Sequence, residues 1–202
     1  ASGIVIAIVF HELAHGAVAI WEGDRTPIEL GHMTVNPFVH MGAISLVTAC
    51  VIGVAWGLMP VDPTRFRHRR YGDVLVSLAG PATNVFLSLV SLVALGFWVR
   101  ALPDTGLDEL GQTWIWTFGY TFGYLNIGLA IFNMAPVPPL DGSRVLSGIS
   151  TRFKRFIDNL EHPGYLFMGY FFLLMVMEET DYGLWTFSSR VADEIVIFII
   201  LL

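Results

Sequence analysis

An apolar segment runs from Asp73 to Val99, and its last 26 residues carry no charged side chain. A stretch of that length crosses a hydrocarbon core of roughly 30 Å. In lipid it must be helical, because a helix satisfies its backbone hydrogen bonds within one segment. Further apolar segments run from Ala1 to about Ile20, from Gly42 to Met59, from Thr113 to about Met134, from Tyr165 to Met177 and from Val191 to Leu202. The expectation is an all-α polytopic membrane protein of about five to six apolar segments, with 1–202 forming a single domain. Only 14% of the residues are charged, against about a quarter in soluble domains. A net charge of −6 argues against nucleic acid as a partner, since that role needs a basic face. The single cysteine, Cys50, excludes an internal disulfide and a cysteine metal cluster, and its apolar surroundings predict a buried thiol. The apolar run begins at once, without a signal-peptide pattern. We therefore expect the sequence to start partway into a helix, with residues missing upstream.

Basic residues accumulate on the cytoplasmic side of membrane proteins. The loop 60–72 carries Arg65, Arg67, Arg69 and Arg70, and the region after the fourth segment carries Arg144, Arg152, Lys154 and Arg155. Between them, 103–112 has Asp104, Asp108 and Glu109 and no basic residue. The third segment should thus run from inside to outside and the fourth should return.

One short motif bears chemistry. His11-Glu12-Leu13-Ala14-His15 is an H-E-x-x-H pattern inside the first apolar run. Residues four apart share a helix face, so both imidazoles can reach one zinc ion. Glu12 sits beside the first ligand and can act as general base on an attacking water. Polar groups at membrane depth usually face a functional interior. A third ligand is needed. The extended H-E-x-x-H-x-x-G-x-x-H pattern is absent, since Val18 and Trp21 occupy its Gly and His positions. Glu22 and Asp24 follow the helix too closely to fold back. Asp141 is the better candidate, at the end of Asn133-Met134-Ala135-Pro136-Val137-Pro138-Pro139-Leu140-Asp141-Gly142, where prolines break a helix. Standing alone, Asp141-Gly142 reads equally well as a turn.

A metal joining His11, His15 and Asp141 has a topological consequence. If 42–59 spanned the bilayer, the two histidines and Asp141 would approach opposite faces. The segment 42–59 is therefore expected to be re-entrant or non-spanning, and its glycines suit a broken element. Turn signals at Gly23-Asp24 and Asn36-Pro37, with Thr34 and Val35 between them, suggest a short β-hairpin over 22–41. The aromatic alternation of Trp114, Trp116, Phe118, Tyr120, Phe122 and Tyr124 resembles a strand, but its apolar length argues for helix. His32 and His40 read as interfacial side chains.

His-Glu-Leu-Ala-His on one helix and the Asn133–Leu146 stretch after another resemble the site-2 protease family of intramembrane metalloproteases. Ala79-Gly80-Pro81-Ala82-Thr83-Asn84 is similar to the A-G-P-x-x-N stretch of the helix between them, and the resemblance is to a compact form without PDZ or CBS domain. It departs after Asn36-Pro37, where His40-Met41-Gly42-Ala43 replaces H-x-D-P-x-G. The resemblance implies three helices cupping Zn2+ towards the cytoplasmic side, with ligands His11, His15 and Asp141 and general base Glu12. It implies that Asn133 holds substrate backbone or an oxyanion, or else caps a helix end, and that Asn84 touches substrate or serves packing. Implied partners are transmembrane segments of membrane-protein substrates within the lipid bilayer. Three alternatives stay open: a peptidase of soluble or lipid-linked peptides, a non-catalytic zinc-containing membrane binding protein, and a metal transporter.

Overall fold

A computed structural model describes residues 2–51, 53–101, 113–178 and 182–202. The acidic loop 103–112, on which the expected orientation of the third and fourth segments rests, lies outside them. The elements are α1 (Ser2–Trp21), α2 (Thr26–Glu29), α3 (Pro37–Val51), a 3-10 turn (Pro63–Arg65), α4 (Arg69–Arg100), α5 (Trp114–Asn133), α6 (Asp141–Ile149), α7 (Thr151–Asp158), α8 (Gly164–Glu178) and α9 (Leu184–Leu201). Three helices are long and apolar enough to cross a membrane: Ser2–Trp21, Tyr71–Arg100 and Trp114–Asn133. Pro37–Val51 and Gly164–Glu178 are apolar but shorter. The chain is an all-helical membrane protein among the described residues.

Side-chain pairings fix how these helices run. His11 meets Asn84 and His15 meets the Val76 carbonyl, so α1 and α4 are antiparallel. Asn84 meets Asn126 and Ser91 meets the Gly119 carbonyl, so α4 and α5 are antiparallel too. Close approach depends on small residues, as is usual between membrane helices. A Cβ on Gly96 would lie 2.7 Å from Ile199 Cβ, and one on Gly123 would meet the Leu92 side chain. Leu92 and Leu95 of α4 pack with Ala192 and Val196 of α9 in a core away from the histidines. The alternating aromatics of α5 resolve into i, i+4 ladders, with Trp116 on Tyr120 and Phe118 on Phe122, each pair 5.7 Å apart between ring centres.

No strand forms over 22–41, and the expected hairpin is corrected to a series of capped turns. The Asp24 carboxylate accepts hydrogen bonds from the Thr26 backbone and hydroxyl, and Pro27 follows at the start of α2. Asn36 Oδ1 accepts from the Phe38 amide to open α3. These local side-chain bonds occupy the groups a cross-strand ladder would need. Cys50 is exposed rather than buried. His40, read as interfacial, is 2% exposed and bonds the Thr34 carbonyl through Nε2.

The segment between α1 and α4 leaves and returns at one end of the bundle. The Asp62 amide donates to Asp24, the Arg67 amide to the Glu22 carbonyl and the His68 amide to the Glu22 carboxylate. Glu22 and Asp24 are buried, at 2% and 0% exposure. Their acceptors are satisfied by this pinning, which removes the cost of burying them. Within the loop α3 is broken at Gly42, whose φ of 68° suits glycine. The chain then turns back, with the Leu58 amide donating to the His40 carbonyl and Trp56 bonded through both backbone groups to Ser45 Oγ.

Candidate metal centre

The site forms where the second half of α1, the first half of α4 and the proline loop after α5 come together. His11 and His15 project from one face of α1, one turn apart. The proline-interrupted segment after Asn133 ends α5, and the Leu140 amide donates to the Val137 carbonyl. Asp141 thereby opens α6, where an acidic side chain also suits the positive end of the helix. His11 Nε2 and His15 Nε2 are 2.9 Å apart, and Asp141 Oδ2 lies 3.1 Å from the first and 3.3 Å from the second.

These three atoms fit a zinc ion. Tetrahedral zinc with ligands at about 2.0–2.1 Å has ligand–ligand edges of about 3.4 Å, a few tenths beyond those seen here. The remaining ring nitrogens decide the chemistry. His11 Nδ1 lies 2.5 Å from Asn84 Oδ1, and His15 Nδ1 lies 2.6 Å from the Val76 carbonyl. Both partners accept, so each Nδ1 carries the proton and each Nε2 presents a lone pair. Two lone pairs and a carboxylate facing one another repel unless a cation lies between them. This is the arrangement by which supporting acceptors orient metal-binding histidines.

Glu12 does not join the triangle. It is 7% exposed and packs on Gly57, where a Cβ would stand 2.5 Å from Glu12 Oε1. Glu12, the three ligand candidates and Asn133 line one cavity of about 680 Å³, walled also by Val54–Met59 and by Phe132, Phe167 and Phe171. Asn133 Nδ2 donates to the Leu129 carbonyl. Asn84 is fully buried, with Oδ1 taken by His11 and Nδ2 donating to Asn126 Oδ1, which in turn is held through the Phe122 carbonyl. Its amide is thus engaged on both sides, supporting His11, and the residue also lines the cavity.

Two further residues escape a reading of the sequence. The Val76 carbonyl belongs to an apolar residue and carries no sequence signal. Gly80 carries one only as part of its motif, yet it faces both rings, so that a Cβ would stand 2.5 Å from His11 Cε1 and from His15 Nε2. Pro81, next along the helix, lacks the amide that would otherwise pair with the Ser77 carbonyl.

The Asn84 bond has a measurable consequence. Asn84→Ala should lower zinc affinity by about 10–100-fold, as loss of such a supporting partner usually does. Competition with a chromophoric chelator reads this directly, and an unchanged affinity would remove Asn84 from its positioning role.

Three apolar helices around a histidine–carboxylate cluster that could hold a metal ion, with a glutamate beside the first histidine, describe a membrane protein with the side-chain set of a zinc peptidase. Sequence comparison agrees. The model of peptidase family M50 matches residues 1–176, and the chain belongs to that family, the site-2 protease family. The chain is 33% identical over 202 residues to "Putative zinc metalloprotease YwhC" of Bacillus subtilis (strain 168), covering 95% of this chain and 86% of that protein. It is 39% identical over 149 residues to "Putative zinc metalloprotease MJ0611" of Methanocaldococcus jannaschii, covering 68% of this chain and 63% of that protein. With "Putative zinc metalloprotease Rip2" of Mycobacterium tuberculosis it shares 26% identity over 160 residues, 72% of this chain and 54% of that protein. The chain thus spans most of YwhC and less than two thirds of the other two. No solved structure gives a significant match.

Proposed function

We propose that the protein is a zinc-dependent intramembrane endopeptidase, hydrolysing peptide bonds in or near transmembrane segments of membrane-protein substrates. The observation that carries this reading is the placing of Glu12 in the same cavity as His11, His15 and Asp141. A purely structural metal site needs no such base. His11, His15 and Asp141 would hold the zinc, which when bound would supply Lewis acidity to the scissile carbonyl and to an attacking water. Glu12 takes the proton of that water and returns it to the departing amine. Asn133 uses one amide N–H on Leu129 and keeps a second for substrate backbone or the developing oxyanion.

The cavity wall favours an extended substrate. Among Val54–Met59, both backbone groups of Trp56 and the amide of Leu58 are bonded to α3. The amides of Ala55, Gly57 and Met59 make no hydrogen bond among the described residues. Alternate residues of extended chain point to opposite sides, so these groups are available to a peptide added alongside. A transmembrane helix must unwind locally to use them.

We place the site towards the cytoplasmic side of a multi-pass protein. The loop that precedes α4, the first turn of α4 and the helices α6 and α7 share one end of the bundle with Asp141, and they hold eight of the eleven basic residues. On this reading the segment 42–59 is re-entrant or non-spanning, which keeps His11, His15 and Asp141 at one face.

The test uses purified protein in detergent, a panel of transmembrane peptides and zinc quantified in each sample. Cleavage abolished by chelation and restored by zinc is expected. Stoichiometric zinc with no peptide cut would reject the endopeptidase reading in favour of a non-catalytic binding protein, and cleavage of soluble peptides alone would reject the intramembrane substrate.

A further inference from the structure

A second cavity of about 670 Å³ lies between the start of α4, the proline loop and the helices α6 and α7. Three cations line it from three different helices: Arg69, Arg144 and Lys154. Arg144 is paired with Asp73, 2.6 Å away. Arg69 and Lys154 have no ion-pair partner among the described residues, and the remaining acid in the lining is Asp158. The Thr151 hydroxyl adds a neutral donor to the same wall.

The surroundings narrow the occupant. This cavity opens where the spanning helix α4 begins, among the basic residues that precede and follow the membrane spans. Next to it α7 carries Arg152, Lys154 and Arg155 on a short amphipathic turn of helix, with Phe156 54% exposed; Ile149, at the end of α6, is 63% exposed. Exposed apolar side chains interleaved with cations suit the boundary between headgroups and acyl chains. A small free anion would fill little of the volume, whereas a phospholipid headgroup would occupy it and leave its chains in the bilayer.

We infer that this cavity binds the phosphate-bearing headgroup of an anionic phospholipid through Arg69 and Lys154, with Arg144 at its inner wall. Basic pockets beside membrane helices on the cytoplasmic face recognise headgroups in this way. Arg144 lines both cavities and lies one turn beyond Asp141. A bound headgroup therefore touches the helix that carries the third metal-ligand candidate.

The test is a native mass-spectrometry titration of the full chain in detergent with short-chain phosphatidylglycerol, run beside phosphatidylcholine of the same chain length. One phosphatidylglycerol per chain is expected, with weaker binding of phosphatidylcholine. Arg69→Gln/Lys154→Gln should weaken phosphatidylglycerol binding by at least about ten-fold, and Lys154→Gln alone by about three- to five-fold. The control Arg152→Gln/Arg155→Gln removes the same charge outside the cavity and should weaken binding far less than the Arg69/Lys154 variant. Equal weakening in both double variants would reduce the effect to net charge and overturn the site. No weakening in either Lys154 variant would overturn it as well. Displacement of the lipid by inorganic phosphate at about ten millimolar would reassign the cavity to a soluble phosphate and overturn the lipid assignment.

Discussion

Glu12→Gln should leave one zinc per chain and slow peptide cleavage by about 10²–10⁴-fold, the usual worth of a positioned general base. The amide has nearly the shape of the carboxylate, so the contact with Gly57 and the packing of α1 survive. Both imidazoles keep their acceptors on α4. Only the capacity to accept a proton is lost. Zinc content and initial rates on the same preparation separate the possible causes. A variant that loses zinc would show Glu12 to be part of the metal centre, and unchanged turnover would remove it from the reaction.

Gly80→Ala should strip the site of metal with little change in helix content. One methyl group enters the space between two rings, within 2.5 Å of His11 Cε1 and His15 Nε2. The rings cannot withdraw cheaply, since each is tied through Nδ1 to an acceptor on the helix that bears Gly80. We expect zinc affinity to fall by more than about 100-fold, beyond the range seen when a supporting partner alone is removed. Gly119→Ala is the matched control, because its Cβ would sit 3.4 Å from Leu95 Cδ1 in ordinary contact. Full zinc occupancy in Gly80→Ala, measured after exhaustive dialysis, would show that the site can open around the added methyl.

The parts of this site legible in the sequence are those encoded by short-range helical geometry. His11 and His15 declare themselves because spacing of four on a helix places them together. Asp141 is 126 residues beyond His15 and was legible only through the proline-broken motif and its resemblance. Asn84 was visible but its role was not. Whether its amide serves a ligand or a ring depends on how α1, α4 and α5 pack, and no local pattern reports that. The same holds for the pinning by Glu22 and Asp24, whose proximity to the end of α1 excluded them as ligands without revealing their partners at 62–68. The hairpin expectation over 22–41 weighed the strand preference of Thr34 and Val35. It did not weigh the competing side-chain caps of Asp24 and Asn36, which won. The burial expected of Cys50 carried a rule for soluble proteins into a membrane protein, where apolar side chains can face outward.

The two acceptors on α4 also set how this protein can change length over time. Val76 and Asn84 hold His15 and His11 at once, from positions a little over two turns apart on one unbroken helix. Inserting or deleting a single residue between them would rotate one acceptor by about 100° relative to the other. Both imidazoles could not then keep their partners. Substitutions along 77–83 can be judged one at a time, but indels there cannot be absorbed, so this stretch should tolerate changes of identity far better than changes of length.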